Sequence, residues 1–402
     1  MATALLLSMS SFAQQALFDN VPVVSPELNA NHTVTFRLKA PNAQKVQITG
    51  DFLPTKQIDT PVGKYDAPGV ADLVKDDKGV WSFTSTKLSP EFYSYNLILD
   101  GVKIVDPGSV YITRDITSET NIFILSDKKG DCGDLYTVNE VPHGNVQKVW
   151  YDSPTLKMQR RMTVYTPAGY DKGKDYPVLY LLHGAGGDED AWTTLGRAQH
   201  ILDNLIATGK AKPMVVVMTN GNPNCQAAPG EWSAGMYVPS FYGYQGAKAV
   251  ATMDESFPDV MNYVESHYKV GKDKAHRAIC GLSMGGGHSF DISRRFPNKF
   301  DYVGLFSAGL HVGKTGDFRT DFYKMLQEDE KAKQQLATLF KNKPKLYWIG
   351  MGKTDFLYKS TAGLRRYFDE KGYKYTYMET EGGHIWRNWR VYLTEFAQKI
   401  FK

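Results

Sequence analysis

Apolar residues follow two different rhythms along the chain. Up to about residue 125 they alternate with polar ones in short runs broken by turn residues: 33–38, 45–48, 80–83, 92–99 and 121–125. The fourth run leads into Asp100-Gly101, a hairpin turn signal. Period-two alternation sends every second side chain to one face of a sheet. Many short strands at close spacing, with almost no helical periodicity, predict an all-β sandwich.

From about residue 146 the rhythm changes. Residues 161–166 read as a strand, and 177–182 and 214–218 are continuous apolar runs, as expected of strands buried on both faces. Residues 192–208 have helical spacing, 257–268 form a helix, and 277–280 a short buried strand followed by a helix over 286–295. Strands at 345–350 and 373–378 flank a helix at 363–371, and 386–401 closes the chain as a helix. Such alternation predicts a mostly parallel sheet covered on both faces. Between the two rhythms, 126–144 is rich in Asp, Lys and Gly and reads as a connector. The expected division is a signal-like segment over 1–13, a β-sandwich over 14–126, a linker over 127–145 and an α/β domain over 146–402.

Composition narrows the class. A chain of 402 residues exceeds one ordinary core, which agrees with two domains. Its 42% hydrophobic and 22% charged residues are those of a globular protein, and a net charge of +4 without a charge block does not suggest a nucleic-acid partner. The 13% aromatic content suits a sugar or aromatic ligand, but β-rich proteins are equally aromatic. The apolar start ending in Ser11-Phe12-Ala13 resembles the end of a secretory signal cleaved after Ala13, without the usual positive n-region. It predicts an exported protein. No other apolar run approaches the ~18 residues of a membrane span. Cys132, Cys225 and Cys280 cannot all pair, and no Cys or His spacing suggests a metal or cofactor.

The chemistry centres on Gly281-Leu282-Ser283-Met284-Gly285, set between the 277–280 strand and the 286–295 helix. Gly-x-Ser-x-Gly in strand–turn–helix context is a nucleophile elbow, and makes Ser283 the candidate nucleophile. A serine hydroxyl needs a base within hydrogen-bond reach, oriented in turn by an acid. Of nine histidines, only His183 and His384 directly follow predicted strands in glycine-rich turns. His384 is the candidate base, and Asp355, just past the 345–350 strand, the acid preceding it in the chain. Asp369 and Glu370 belong to a helix, and Glu379 and Glu381 lie too near His384 in sequence. His288 lies one turn beyond Ser283, and the remaining histidines read as surface or core residues.

His183-Gly184-Ala185-Gly186-Gly187 has a different role, because its flexible backbone can turn N–H groups toward the site. The N–H of Met284 and that of Ala185 are the candidate oxyanion donors, with Gly186 an alternative. Asp188-Glu189-Asp190 reads as a solvated helix start rather than a cation site. Trp232, Tyr237, Tyr242 and Trp386 are candidate substrate-binding residues. The aromatic stretch 222–246 either forms an acyl pocket or lid, or packs on itself.

Two resemblances follow. Residues 36–46, Gly50-Asp51-Phe52, Gly79-Val80-Trp81, Tyr93-Ser94-Tyr95, Asp100-Gly101 and Asp106-Pro107 resemble the early-set immunoglobulin-like domains of the family 48 carbohydrate-binding-module group. Trp81, Tyr93 and Tyr95 would serve there as core or as a sugar platform, so the module either packs or binds. The stretch 176–184, the elbow, and Gly382-Gly383-His384-Ile385-Trp386 resemble carbohydrate esterase family 1, of the esterase D group of α/β-hydrolases. That resemblance implies an α/β-hydrolase fold and a serine esterase releasing feruloyl groups from plant polysaccharide such as arabinoxylan. Acetyl xylan esterase and siderophore-ester hydrolase are the neighbouring activities. A carbohydrate-binding protein with a scaffold hydrolase domain is the non-enzyme alternative.

Overall fold

The computed structural model describes residues 23–60, 63–237, 249–312 and 321–402. In the first part the strands are β1 (Glu27–Leu28), β2 (Val34–Lys39), β3 (Val46–Gly50), β4 (Lys56–Thr60), β5 (Gly63–Ala67) and β6 (Gly69–Asp72). They continue with β7 (Val74–Lys75), β8 (Val80–Thr84), β9 (Glu91–Leu99), β10 (Val102–Ile104), β11 (Ile112–Asp115) and β12 (Ser118–Leu125). One sheet has the order β1-β2-β8-β7 and a second β11-β12-β9-β3-β6, with β10 paired to β9 and β4–β5 a separate ribbon. Phe36 and Trp81 from the first sheet share one core with Ile48, Tyr95 and Phe123 from the second. Trp81, Tyr93 and Tyr95 are all buried, and the Trp81 indole donates to the Ala40 carbonyl. They are core residues and offer no sugar platform.

The connector is ordered. It carries α1 (Cys132–Tyr136), N-capped by Asp131 and anchored by the buried Tyr136. Beyond it lie β13 (Asn145–Ser153), β14 (Met158–Thr166), β15 (Val178–Leu182), α2 (Ala191–Thr194), α3 (Ala198–Ala207), β16 (Val215–Thr219) and α4 (Met253–His267). Then come β17 (Arg277–Leu282), α5 (Met284–Arg295), β18 (Tyr302–Phe306), α6 (Phe322–Glu328), α7 (Glu330–Lys341), β19 (Leu346–Gly352), α8 (Tyr358–Lys371), β20 (Thr376–Thr380) and α9 (Trp386–Ala397).

The eight strands run β13-β14-β16-β15-β17-β18-β19-β20, parallel from β16 to β20. Alternate residues enter opposite layers: Val178, Tyr180 and Ile279 face α4, α5, α7 and α8, whereas Leu179, Leu181 and Cys280 face α3 and α9. Phe92 and Ile122 of the first part belong to this second layer, so the two parts share buried apolar surface.

Several boundaries differ from the sequence reading. The helix expected over 192–208 is two helices, broken where Arg197 adopts φ 55°. Its guanidinium donates to the Tyr136 carbonyl (2.9 Å) and the Tyr111 hydroxyl (2.5 Å), which holds the break. The strand expected at 373–378 begins only at Thr376, and β13, β18, α6 and α7 are elements that the sequence reading does not include.

Candidate active site

Parallel strands deliver their following loops to one edge of the sheet, and the candidate residues occupy the loops after β15, β17, β19 and β20. Ser283 falls between β17 and α5 with φ 52° and ψ −115°, a conformation that costs a non-glycine residue about 1–3 kcal/mol. Its surroundings enforce it. The Ser283 N–H donates to the Phe306 carbonyl at 2.9 Å, and its carbonyl accepts from Gly309 (2.8 Å) and Gly287 (3.0 Å). A Cβ at Gly285 would lie 2.5 Å from the Leu182 and His183 carbonyl oxygens, and one at Gly281 2.6 Å from the Gly285 backbone. Only glycine lets these three segments meet.

The structure brings Asp355 and His384 together. Nδ1 of His384 lies 2.9 Å from Oδ2 and 3.1 Å from Oδ1 of Asp355. The Asp355 side chain is fully buried, that of His384 17% exposed, and Oδ1 also accepts the Leu357 N–H at 2.9 Å. A carboxylate at Nδ1 keeps the proton there and leaves Nε2 as the basic nitrogen. The loop bearing the histidine is pinned by Thr354 N–H to Gly382 O (3.0 Å) and Asn388 Nδ2 to Gly383 O (2.9 Å). Phe356 and Trp389 rings flank the imidazole at 4.6 and 4.9 Å.

His183 is a latch. It is buried, its Nδ1 lies 2.7 Å from the Gly184 carbonyl, and its Nε2 accepts the Gly221 N–H at 2.7 Å. Burial holds its pKa below the ordinary value, so the ring stays neutral with both nitrogens engaged. The loop it fastens runs against the nucleophile: a Cβ at Gly184 would sit 3.2 Å from Ser283 Cβ. Ala185 is exposed on that loop, and Met284 opens α5 beside Ser283.

The acidic run is not a solvated helix start, contrary to the sequence reading. Glu189 is fully buried and receives Arg161 Nε (2.7 Å), Ala228 N–H (2.8 Å) and Asn220 Nδ2 (3.0 Å). Asp188 pairs with Arg114 at 2.6 Å, and Asp190 with Lys148 and Arg161. Among the described residues no group of three or more His, Cys, Asp or Glu is placed to hold a metal ion. Gly221, Arg161 and Arg114 were not legible as site supports, because their partners lie tens of residues away.

The aromatic candidates are distributed unevenly. Trp386 is half-buried, its ring 5.3 Å from Trp192 and 5.2 Å from Trp389 in edge-on contacts beside His384. Trp232 is half-buried over Gly235, Tyr237 is 93% exposed, and Tyr242 lies outside the described residues.

Comparison with known proteins places this geometry in context. A family model described as "Putative esterase" matches residues 153–400. An "Endo-1,4-beta-xylanase/feruloyl esterase" of Xylanibacter ruminicola is 31% identical over 388 residues, covering 94% of this chain and 46% of that protein. The chain thus spans less than half the length of that relative. A ferulic acid esterase structure from Anaeromyces mucronatus aligns at 25% identity with a TM-score of 0.50, covering 67% of this chain and 96% of that one. The enterobactin esterase of Shigella flexneri shares the fold over 91% of this chain and 92% of its own, with a TM-score of 0.59 at 14% identity.

Proposed function

From the premise that this chain belongs to the esterase family, we propose that it is a serine carboxylic-ester hydrolase acting on feruloyl esters of plant cell-wall polysaccharide such as arabinoxylan. On this reading it is exported, residues 14–126 form an immunoglobulin-like orienting module, 127–145 join it to the enzyme, and 146–402 are an α/β-hydrolase domain. Among the described residues no helix is long and apolar enough to cross a membrane.

The observation that carries the reading is the buried Asp355 carboxylate straddling His384 Nδ1, on loops at the same edge of the parallel sheet as the strained Ser283 turn. Ser283 Oγ attacks the ester carbonyl carbon while His384 Nε2 takes its proton. The carbonyl oxygen becomes an oxyanion, held by the N–H groups of Met284 and Ala185. The imidazolium then returns the proton to the leaving sugar alcohol, and the carbon–oxygen bond to it breaks. Water attacks the resulting acyl-Ser283 by the same route and releases the acid.

The feruloyl preference rests on the sequence relative and on the aromatic residues Trp232, Tyr237, Tyr242 and Trp386, against which a flat phenolic acid can stack. Turnover of methyl ferulate, p-nitrophenyl acetate, feruloylated arabinoxylan and a siderophore ester by the same preparation tests it. The expected order puts both ferulates first. Faster acetate release would make the protein an acetyl esterase, and cleavage of the siderophore ester alone would replace the plant-polysaccharide assignment.

A further inference from the structure

The amino-terminal module reaches the proposed catalytic loops directly. Its β11–β12 hairpin turns at Ile116 and Thr117, over the loop that follows β15. Three contacts join them. Arg114 Nη2 meets Asp188 Oδ2 at 2.6 Å, and Asp188 is 2% exposed; the same guanidinium donates through Nη1 to the Ile116 carbonyl at 3.2 Å. Ile116 covers Gly186 so closely that a Cβ there would lie 2.7 Å from Ile116 Cγ1. Asp115, on the same hairpin, faces the Trp386 indole at the start of the helix following His384.

The backbone of the turn makes these contacts informative. Ile116 has φ 55°, an outlier for a β-branched residue, at a turn position that glycine fills without strain. Such a conformation persists only where the surroundings over-determine it. Chain reversal alone would be served better by glycine, so the isoleucine side chain is there for what it covers. Gly186, itself at φ 82°, is shaped to receive it.

We propose that the β11–β12 hairpin is a built-in part of the esterase site, with Arg114 and Ile116 as positioning residues that hold the 184–188 loop where the Ala185 N–H meets the oxyanion. This rests on the serine-esterase reading above. Because the oxyanion forms only in the transition state, loosening the loop lowers kcat and leaves KM in place.

The test uses the full chain as wild type, Ile116→Gly, Arg114→Ala and Arg114→Lys, with the small ester p-nitrophenyl acetate as substrate. Kinetics are read beside the thermal unfolding midpoint and hydrogen exchange of the 184–188 amides. Ile116→Gly, which relieves the turn, is expected to keep its unfolding midpoint while kcat falls about tenfold, part of the ~100- to 1,000-fold that loss of an oxyanion donor costs. Arg114→Ala falls similarly, Arg114→Lys recovers part of the loss, and exchange of the loop amides quickens in both low-activity variants. Unchanged kcat and exchange in Ile116→Gly and Arg114→Ala would overturn the proposal. Absence of Ser283-dependent hydrolysis in the wild type would instead sink the esterase reading, and the exchange data would still decide whether the hairpin holds the loop.

Discussion

Replacing Asp355 by Asn probes the support of the base without changing its shape. The carboxylate is fully buried, contacts His384 Nδ1 through both oxygens at 2.9 and 3.1 Å, and accepts the Leu357 N–H. On the proposed mechanism His384 gains a proton in the transition state, so a full positive charge appears beside this carboxylate. Unit charges about 4 Å apart at an effective dielectric of about 20 attract by about 4 kcal/mol. Losing that attraction slows the chemical step by about 1,000-fold. The amide adds a second penalty, because an NH₂ directed at Nδ1 favours the tautomer with the proton on Nε2, which cannot act as base. We therefore expect Asp355→Asn to lower kcat between about 1,000- and 10,000-fold, with KM within about twofold and the unfolding midpoint near wild type. Steady-state turnover of methyl ferulate, paired with thermal unfolding, measures both. A fall of less than about tenfold in a folded variant would refute Asp355 as the orienting acid.

Two further outcomes follow from buried charge. His288 is half-buried near His183, His311, Arg160 and Asp254, and desolvation of its ring lowers its pKa from 6.5 to about 4. The unfolded chain takes up this proton at higher pH than the folded one, so stability is full above 6.5 and is lost as pH falls toward 4, by about 3 kcal/mol. Urea unfolding across that window should show a shallower acid loss in His288→Leu, and an identical slope would remove His288 from the account. Arg390, 2% exposed, donates to Glu91 at 3.3 Å and Phe92 O at 3.2 Å across the contact between the two parts, and to Leu195 O at 2.9 Å within its own part. Arg390→Ala should cost about 3–5 kcal/mol in denaturant unfolding, because it leaves the Glu91 carboxylate with Arg387 alone and opens a cavity as well, and Arg390→Met less, because it strands the same carboxylate but fills that volume. Equal losses in the two variants would contradict that.

What could be read from the sequence was whatever repeats locally. Ser283 announces itself because the elbow needs glycines on both sides, and His384 and Asp355 because each lies in the turn past an expected strand, that of His384 rich in glycine. The strands at 178–182 and 215–219 are legible because burial on both faces leaves runs of apolar residues, broken only by Thr219 at the end of the second. What joins distant segments was not legible. The pairs Arg114–Asp188 and Glu91–Arg390 span 74 and 299 residues, and neither leaves a local trace. Asp188-Glu189-Asp190 looked solvated because the arginines that neutralise it, Arg114 and Arg161, sit on strands elsewhere. The break at Arg197 has the same origin, since its partners are Tyr111 and Tyr136. Trp81, Tyr93 and Tyr95 read more readily as core than as platform, and the facing sheet shows what covers them.

The central claim is that Ser283 is the nucleophile. Intact-mass measurement after treatment with a fluorophosphonate, with peptide mapping of the adduct, tests it most directly. The wild type should gain one phosphonyl group, on Ser283, and lose all esterase activity in proportion, while Ser283→Ala should remain unlabelled, inactive and folded. Labelling at another residue, or ester turnover by Ser283→Ala at the wild-type rate, would contradict the account.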